Sequence, residues 1–138
     1  MKLELALSLA SNALEEARSR NLPPLAVVIL DSRGQVKHAV SEDGTSMFRF
    51  KIAFAKANAA LGMGMSTRQL YNLFERKILP DRFAASIMSI TDDGFAPQPG
   101  GEIISEQGEV AGAIGISGAS SDEDEIVARA ALMRSHSG

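Results

Sequence analysis

The chain has 138 residues, enough for one self-supporting domain. Hydrophobic residues make up 45% and charged residues 22%, ordinary values for a globular protein, and the net charge is −3. That balance, with no clustered basic stretch, argues against a general nucleic-acid binder. The absence of cysteine excludes disulfides, thiolate metal sites and cysteine nucleophiles.

Along the first segment Leu3, Leu7, Ala10, Leu14 and Ala17 step by three or four, which predicts one apolar helix face. Glu4 interrupts the apolar run too early for a cleavable signal sequence, so an amphipathic helix of a cytoplasmic protein is expected. No run approaches the ~18 apolar residues of a membrane span. Leu22-Pro23-Pro24 ends the helix, because proline cannot continue the hydrogen-bond ladder. "LAVVIL" (25–30) and "QVKHAV" (35–40) flank the turn "DSRG" and predict a β-hairpin.

Ser46 is the expected cap of a helix from Met47 to about Leu61, apolar on most sides and so buried. Ser66 is the expected cap of a shorter helix through Phe74 and Lys77, broken by "LPD". In the weakly patterned 81–99 segment, "SIMSI" is the candidate strand and "DDGFAPQPGG" a loop. "GEIIS" and "EVAGAIGIS", joined at "EQG", predict a second hairpin, and a last helix follows from Ser121 to Arg134. Two hairpins with helices before, between and after predict an α+β fold, one antiparallel sheet covered by helices.

Gly112, Gly115 and Gly118 lack the spacing of a dinucleotide fingerprint or a P-loop. The acids Asp122 to Glu125 occupy the helix start where a phosphate would need free N–H groups, and they satisfy the helix dipole themselves. The glycines therefore read either as close-packing positions or as the wall of a ligand pocket.

"LAVVILDSRGQ", "DGTSMFRFKIAFAKANAA" and "PGGEIISEQGEVAGAIGISGASSDEDEIVARAAL" together resemble the successive blocks of the GlcG/HbpS-like family, which includes haem-binding and corrinoid-related members. The resemblance implies a profilin-like three-layer α/β/α sandwich, a homo-oligomer, and a small-molecule or tetrapyrrole ligand in an accessory protein of a catabolic pathway. On the family's pattern, Gly100-Gly101 precedes the last hairpin and Asp124 is the acid after the glycine block. Gln35 stands where many relatives carry histidine, a departure that weakens a haem assignment because a neutral amide is a poor iron ligand.

Lys56, with Ala53 and Ala60 on its face and Arg49 two turns back, is the candidate for a buried amine beside a hollow. It would serve as base, nucleophile or carboxylate partner, or else snorkel to solvent. Asp43 is its candidate catalytic partner or a plain turn former. Gln35, Arg49, Gly101 and Gly115 are the candidate ligand-binding positions, with the pocket expected between the Lys56 helix and the final glycine-rich strand. His38 reads as a half-exposed strand residue or a ligand, Met63 and Met65 as gap fillers or a pocket lip, and His136 as part of a frayed tail. No His/carboxylate spacing suits zinc, and no serine sits in a nucleophile elbow. An enzyme using Lys56 and Asp43 for proton transfer is the competing functional reading, and an oligomeric module without ligand is the third.

Overall fold

The computed structural model describes residues 1–92 and 94–137, with the side chains of residues 136 and 137 outside that description. Among the described residues the order is α1 (Leu3–Ser19), β1 (Ala26–Asp31), β2 (Val36–Ser41), α2 (Arg49–Met63), α3 (Thr67–Glu75), α4 (Asp81–Ile90), β3 (Gly101–Glu106), β4 (Glu109–Ser117) and α5 (Ser121–Ser137). The four strands form one antiparallel sheet in the order β2-β1-β4-β3. This is the α+β architecture that the hairpin pattern predicts.

Strand alternation sorts the core into two layers. Val27, Ile29, Ile104, Ile114 and Ile116 face α1 and α5, where Ala6, Leu9, Ala13, Val127 and Ala131 complete the larger cluster. Ala26, Val28, Leu30 and Ala113 face the opposite way and meet Ala53, Ala57 and Ala60 of α2. The alanines keep α2 thin on its sheet side, so its backbone lies directly on β4. A Cβ placed on Gly115 would come within 1.9 Å of the Ala53 carbonyl oxygen. The glycine strand is thus a packing surface for a helix, which is one of the two readings its sequence allows.

Two expectations from the sequence fail locally. Ser46 does not cap α2; Phe48 is the cap residue and supplies no side-chain bond, and Ser46 only closes a preceding turn through its carbonyl to Arg49 N–H at 3.1 Å. "SIMSI" is not a strand but the second half of α4. Phe83, Ala84, Ile87 and Met88 recur at helical spacing and pack on Leu70, Phe74 and Phe95. That tertiary contact outweighs the β-branched content of the segment. Ser66 does cap α3, in a reciprocal box with Gln69.

The four acids at the start of α5 are all engaged. Glu123 Oε1 accepts from Ser120 N–H and Oγ–H, while Ser120 Oγ accepts from Glu123 N–H. Asp124 Oδ1 accepts from Ala119 N–H at 3.0 Å. Asp122 and Glu125 both bind Arg68 of α3. The helix start is closed by its own carboxylates, as the sequence argument against a phosphate requires.

Candidate functional site

Lys56 lies at the middle of α2, 2% exposed, and its Nζ donates to Asp124 Oδ2 and to the Ile116 carbonyl, each at 3.0 Å. Asp124 is 1% exposed. The two residues come from helices on opposite faces of the sheet, so the lysine stem must pass the end of the β3–β4 pair. Gly100 makes room for it: a Cβ there would lie 2.9 Å from Nζ. Gly101, the next residue, abuts the Lys56 carbonyl, and a Cβ on it would come within 2.4 Å. Burial pushes the Lys56 ammonium below its usual pKa, and the Asp124 charge and hydrogen bond offset part of that shift.

The amine is therefore as shielded as the sequence reading expects, but among the described residues no hollow opens beside it. Asp124 and strand backbone fill the space that the small residues clear. The expected pocket between α2 and β4 is a packed interface, because alanine facing glycine brings two backbones together instead of leaving a gap.

The remaining candidates fall in three places. Arg49, at the first turn of α2, is half-buried and donates from Nη1 to Ser117 Oγ at 3.3 Å, next to the Lys56 junction. Gly101 and Gly115 belong to that junction as packing positions. Asp43 is exposed beyond β2, two strands from β4, and lines an open cleft with Leu14, Arg18 and Pro24. Gln35 is exposed in the β1–β2 turn, its N–H on Asp31 Oδ1 and its carbonyl on Asp31 N–H. Gly34 beside it approaches Leu61, so Gln35 sits at the far end of α2 from Arg49. Asp43 and Lys56 are not brought together as an acid–base pair.

Of the other positions, His38 is half-buried on β2, Met63 and Met65 pack against the Phe74 cluster as gap fillers, and the His136 side chain lies outside the described residues. Among the described residues no three His, Cys, Asp or Glu side chains are placed to hold a metal ion, and no helix is long and apolar enough to cross a membrane.

Sequence reasoning missed the partner of Lys56. Asp124 reads locally as a helix-dipole acid, and nothing in a separation of 68 residues signals a pair. It also missed Arg68, whose guanidinium holds Asp122 and Glu125, stands 5.7 Å from the Tyr71 ring and has its pKa raised by those two carboxylates. A cleft of about 310 Å³ opens there, between Tyr71, Gln98 and Ser121. Its cation, Arg68, is already paired with Asp122 and Glu125, so it is not a free charge for an anionic ligand.

The exposed apolar surface lies elsewhere. Met47, Phe48 and Phe50, at 80%, 58% and 41% exposure, follow one another into α2. Arg49 and the exposed Lys51 alternate with them. Consecutive large apolar side chains in water with cations between them are unusual for a surface without a ligand or partner.

Comparison with solved structures confirms the fold. A Klebsiella pneumoniae protein, ORFY, superposes with a TM-score of 0.84 at 20% identity, covering 96% of this chain and 88% of that one. A PduOC–haem complex gives 0.84 at 22% identity, covering 96% and 93%. HbpS of Streptomyces reticuli, as a double mutant, gives 0.81 at 25% identity, covering 97% and 86%. No curated protein matches the sequence. The model of the family described as haem-degrading protein HbpS-like matches residues 1–133, and the chain belongs to that HbpS-like family.

Proposed function

We propose that this protein is a small-molecule-binding accessory protein that takes haem, or a related tetrapyrrole, on the surface at the start of α2. One observation carries the site: Met47, Phe48 and Phe50 are all exposed within four consecutive residues, with the half-buried Arg49 between the two phenylalanines and the exposed Lys51 after them. A porphyrin presents an apolar disc with anionic propionates at one edge. Aromatic rings suit the disc, cations suit the propionates, and the Met47 thioether is a recognised class of haem-iron ligand. The residues present thus fit the group, although Gln35 does not supply the imidazole found in many relatives. Bound haem supplies redox-active iron; the chain's part is to bind the disc and hold its carboxylates.

Membership of the HbpS-like family and the likeness to a haem complex support the ligand class. The arrangement of Lys56 supports binding over catalysis by that residue, since its ammonium is already held by Asp124 and Ile116. Residence in the cytoplasm beside catabolic enzymes is part of the same proposal. Titration with haemin, read at the Soret band in the parent and in Phe48→Asp, tests it.

A further inference from the structure

The helix α4 is held differently from the others. None of its residues is buried, whereas α1, α2, α3 and α5 each bury several. Among the described residues no hydrogen bond or ion pair joins it to another helix or to the sheet. Its bonds are internal or reach only the adjoining turns, as Lys77 to Asp81 does at 3.6 Å. Apolar contact alone therefore fastens it, through Phe83, Ala84, Ile87 and Met88, to a cluster with Leu70, Phe74 and Phe95 at its centre. Three of the chain's six methionines, Met63, Met65 and Met88, lie in that contact. Each is half-buried and so within reach of a small solute. Glycines flank Met63 and leave it unshielded: a Cβ on Gly62 or Gly64 would meet no atom within 4 Å. Met65 lines an open cleft of about 460 Å³ with Leu73 and Arg76.

We propose that Met63, Met65 and Met88 form a peroxide-modification site, and that oxidation of their thioethers to sulfoxides detaches α4 from the body. This goes beyond the ligand reading and does not depend on it. In each step a sulfur lone pair attacks one oxygen of hydrogen peroxide. The S–O bond forms, the O–O bond breaks, and the second oxygen takes the proton of the first and leaves as water. Sulfur gives up two electrons and the peroxide accepts them. A thioether suits this place because it is flexible, polarizable and packs well on aromatic rings. A sulfoxide does not suit it: its oxygen is a strong acceptor, and the side chains of Leu70, Phe74 and Phe95 offer no donor. With no polar bond to hold it, α4 answers to that loss, while the sheet and the other helices keep their own cores. Enzymes reduce methionine sulfoxide back to the thioether, so the detachment is reversible.

The test treats the haem-free full chain with hydrogen peroxide. Tandem mass spectrometry locates each added oxygen, and amide hydrogen exchange compares α4 with β1 and β4. Once Met63, Met65 and Met88 are sulfoxides, exchange across α4 rises at least about tenfold while β1 and β4 keep their rates. Treatment with methionine sulfoxide reductases for both epimers restores the slow exchange. Met63→Leu/Met65→Leu/Met88→Leu conserves volume and keeps α4 in place under the same dose. Should that variant fold poorly, Met88→Leu alone gives a smaller rise than the parent. Sulfoxides at all three positions with α4 exchange unchanged overturn the proposal. So does a rise in the leucine variant equal to the parent's. Oxidation confined to the exposed Met47 and Met133, at every dose that leaves the sheet folded, overturns it too.

Discussion

Lys56 Nζ and Asp124 Oδ2, 3.0 Å apart and each nearly fully buried, join a helix on one face of the sheet to a helix on the other. The bond runs past the end of the β3–β4 ladder, where Gly100 leaves no side chain in its way. A pair so placed fixes the relative position of three layers, and its removal is felt by all of them.

Lys56→Met is expected to cost about 3–5 kcal/mol, because it leaves Asp124 charged and dry without its cation. Lys56→Met combined with Asp124→Leu recovers part of that loss, since it removes the unpaired buried charge while Ala119 N–H and the Ile116 carbonyl still lose their partners. Urea midpoints of the parent, Lys56→Met, Asp124→Leu and the double variant check the non-additivity. A double-variant loss equal to the sum of the two single losses would contradict a coupled pair.

Glycine substitutions separate packing from conformational freedom. Gly115→Ala drives a Cβ into the Ala53 carbonyl and is expected to cost about 3 kcal/mol or prevent folding. Gly62→Ala, late in α2 with no atom within 4 Å of the added methyl, is expected to stabilise by about 0.5–1 kcal/mol. Thermal denaturation of both variants reads the opposite signs.

Glu102 on β3 is 8% exposed, and among the described residues its Oε2 has no hydrogen bond, only Arg129 Nε at 3.6 Å. Arg129 is 54% exposed, so this ion pair is weak and the orphaned oxygen is the better description of the site. Burial raises the carboxyl above its ordinary value of 4.5, Arg129 opposes the shift, and Glu125 adds to it. A raised folded-state pKa means that the folded form holds its proton more tightly than the unfolded one. The stability this contributes is present below 4.5 and is lost as pH rises through the folded value. Glu102→Gln removes that loss. The variant is expected to exceed the parent by about 1 kcal/mol near pH 7, with a smaller difference near pH 4. Melting curves at both pH values check it; a pH-independent difference would contradict it.

Much of the fold is legible in the sequence because local pattern and tertiary demand agree there. The β-branched run at 25–30 and the hairpin strand at 109–117 become β1 and β4, and Ser66 becomes the cap of α3. Agreement fails at 86–90, where β-branched residues with a helical apolar period are decided by the Phe74 cluster, which no local window contains. The burial of Lys56 is legible from its alanine neighbours; its use is not. Small residues opposite glycine signal close approach equally well whether a ligand or a backbone fills the gap. Only the fold brings Asp124 to the amine. Met47, Phe48 and Phe50 read as the buried start of a helix because Ser46 looks like its cap; with the cap at Phe48, Met47 and Phe48 lie at or before the helix start and, like Phe50, are exposed.

The most direct measurement is a haemin titration of the parent, of Phe48→Asp/Phe50→Asp and of Glu102→Gln, followed at the Soret band. The parent and Glu102→Gln are expected to saturate at one haem per chain, Phe48→Asp/Phe50→Asp to bind at least about tenfold more weakly, and Met47→Ala to shift the band. No saturable Soret change in the folded parent, or equal affinity in parent and Phe48→Asp/Phe50→Asp, would contradict haem binding at the start of α2.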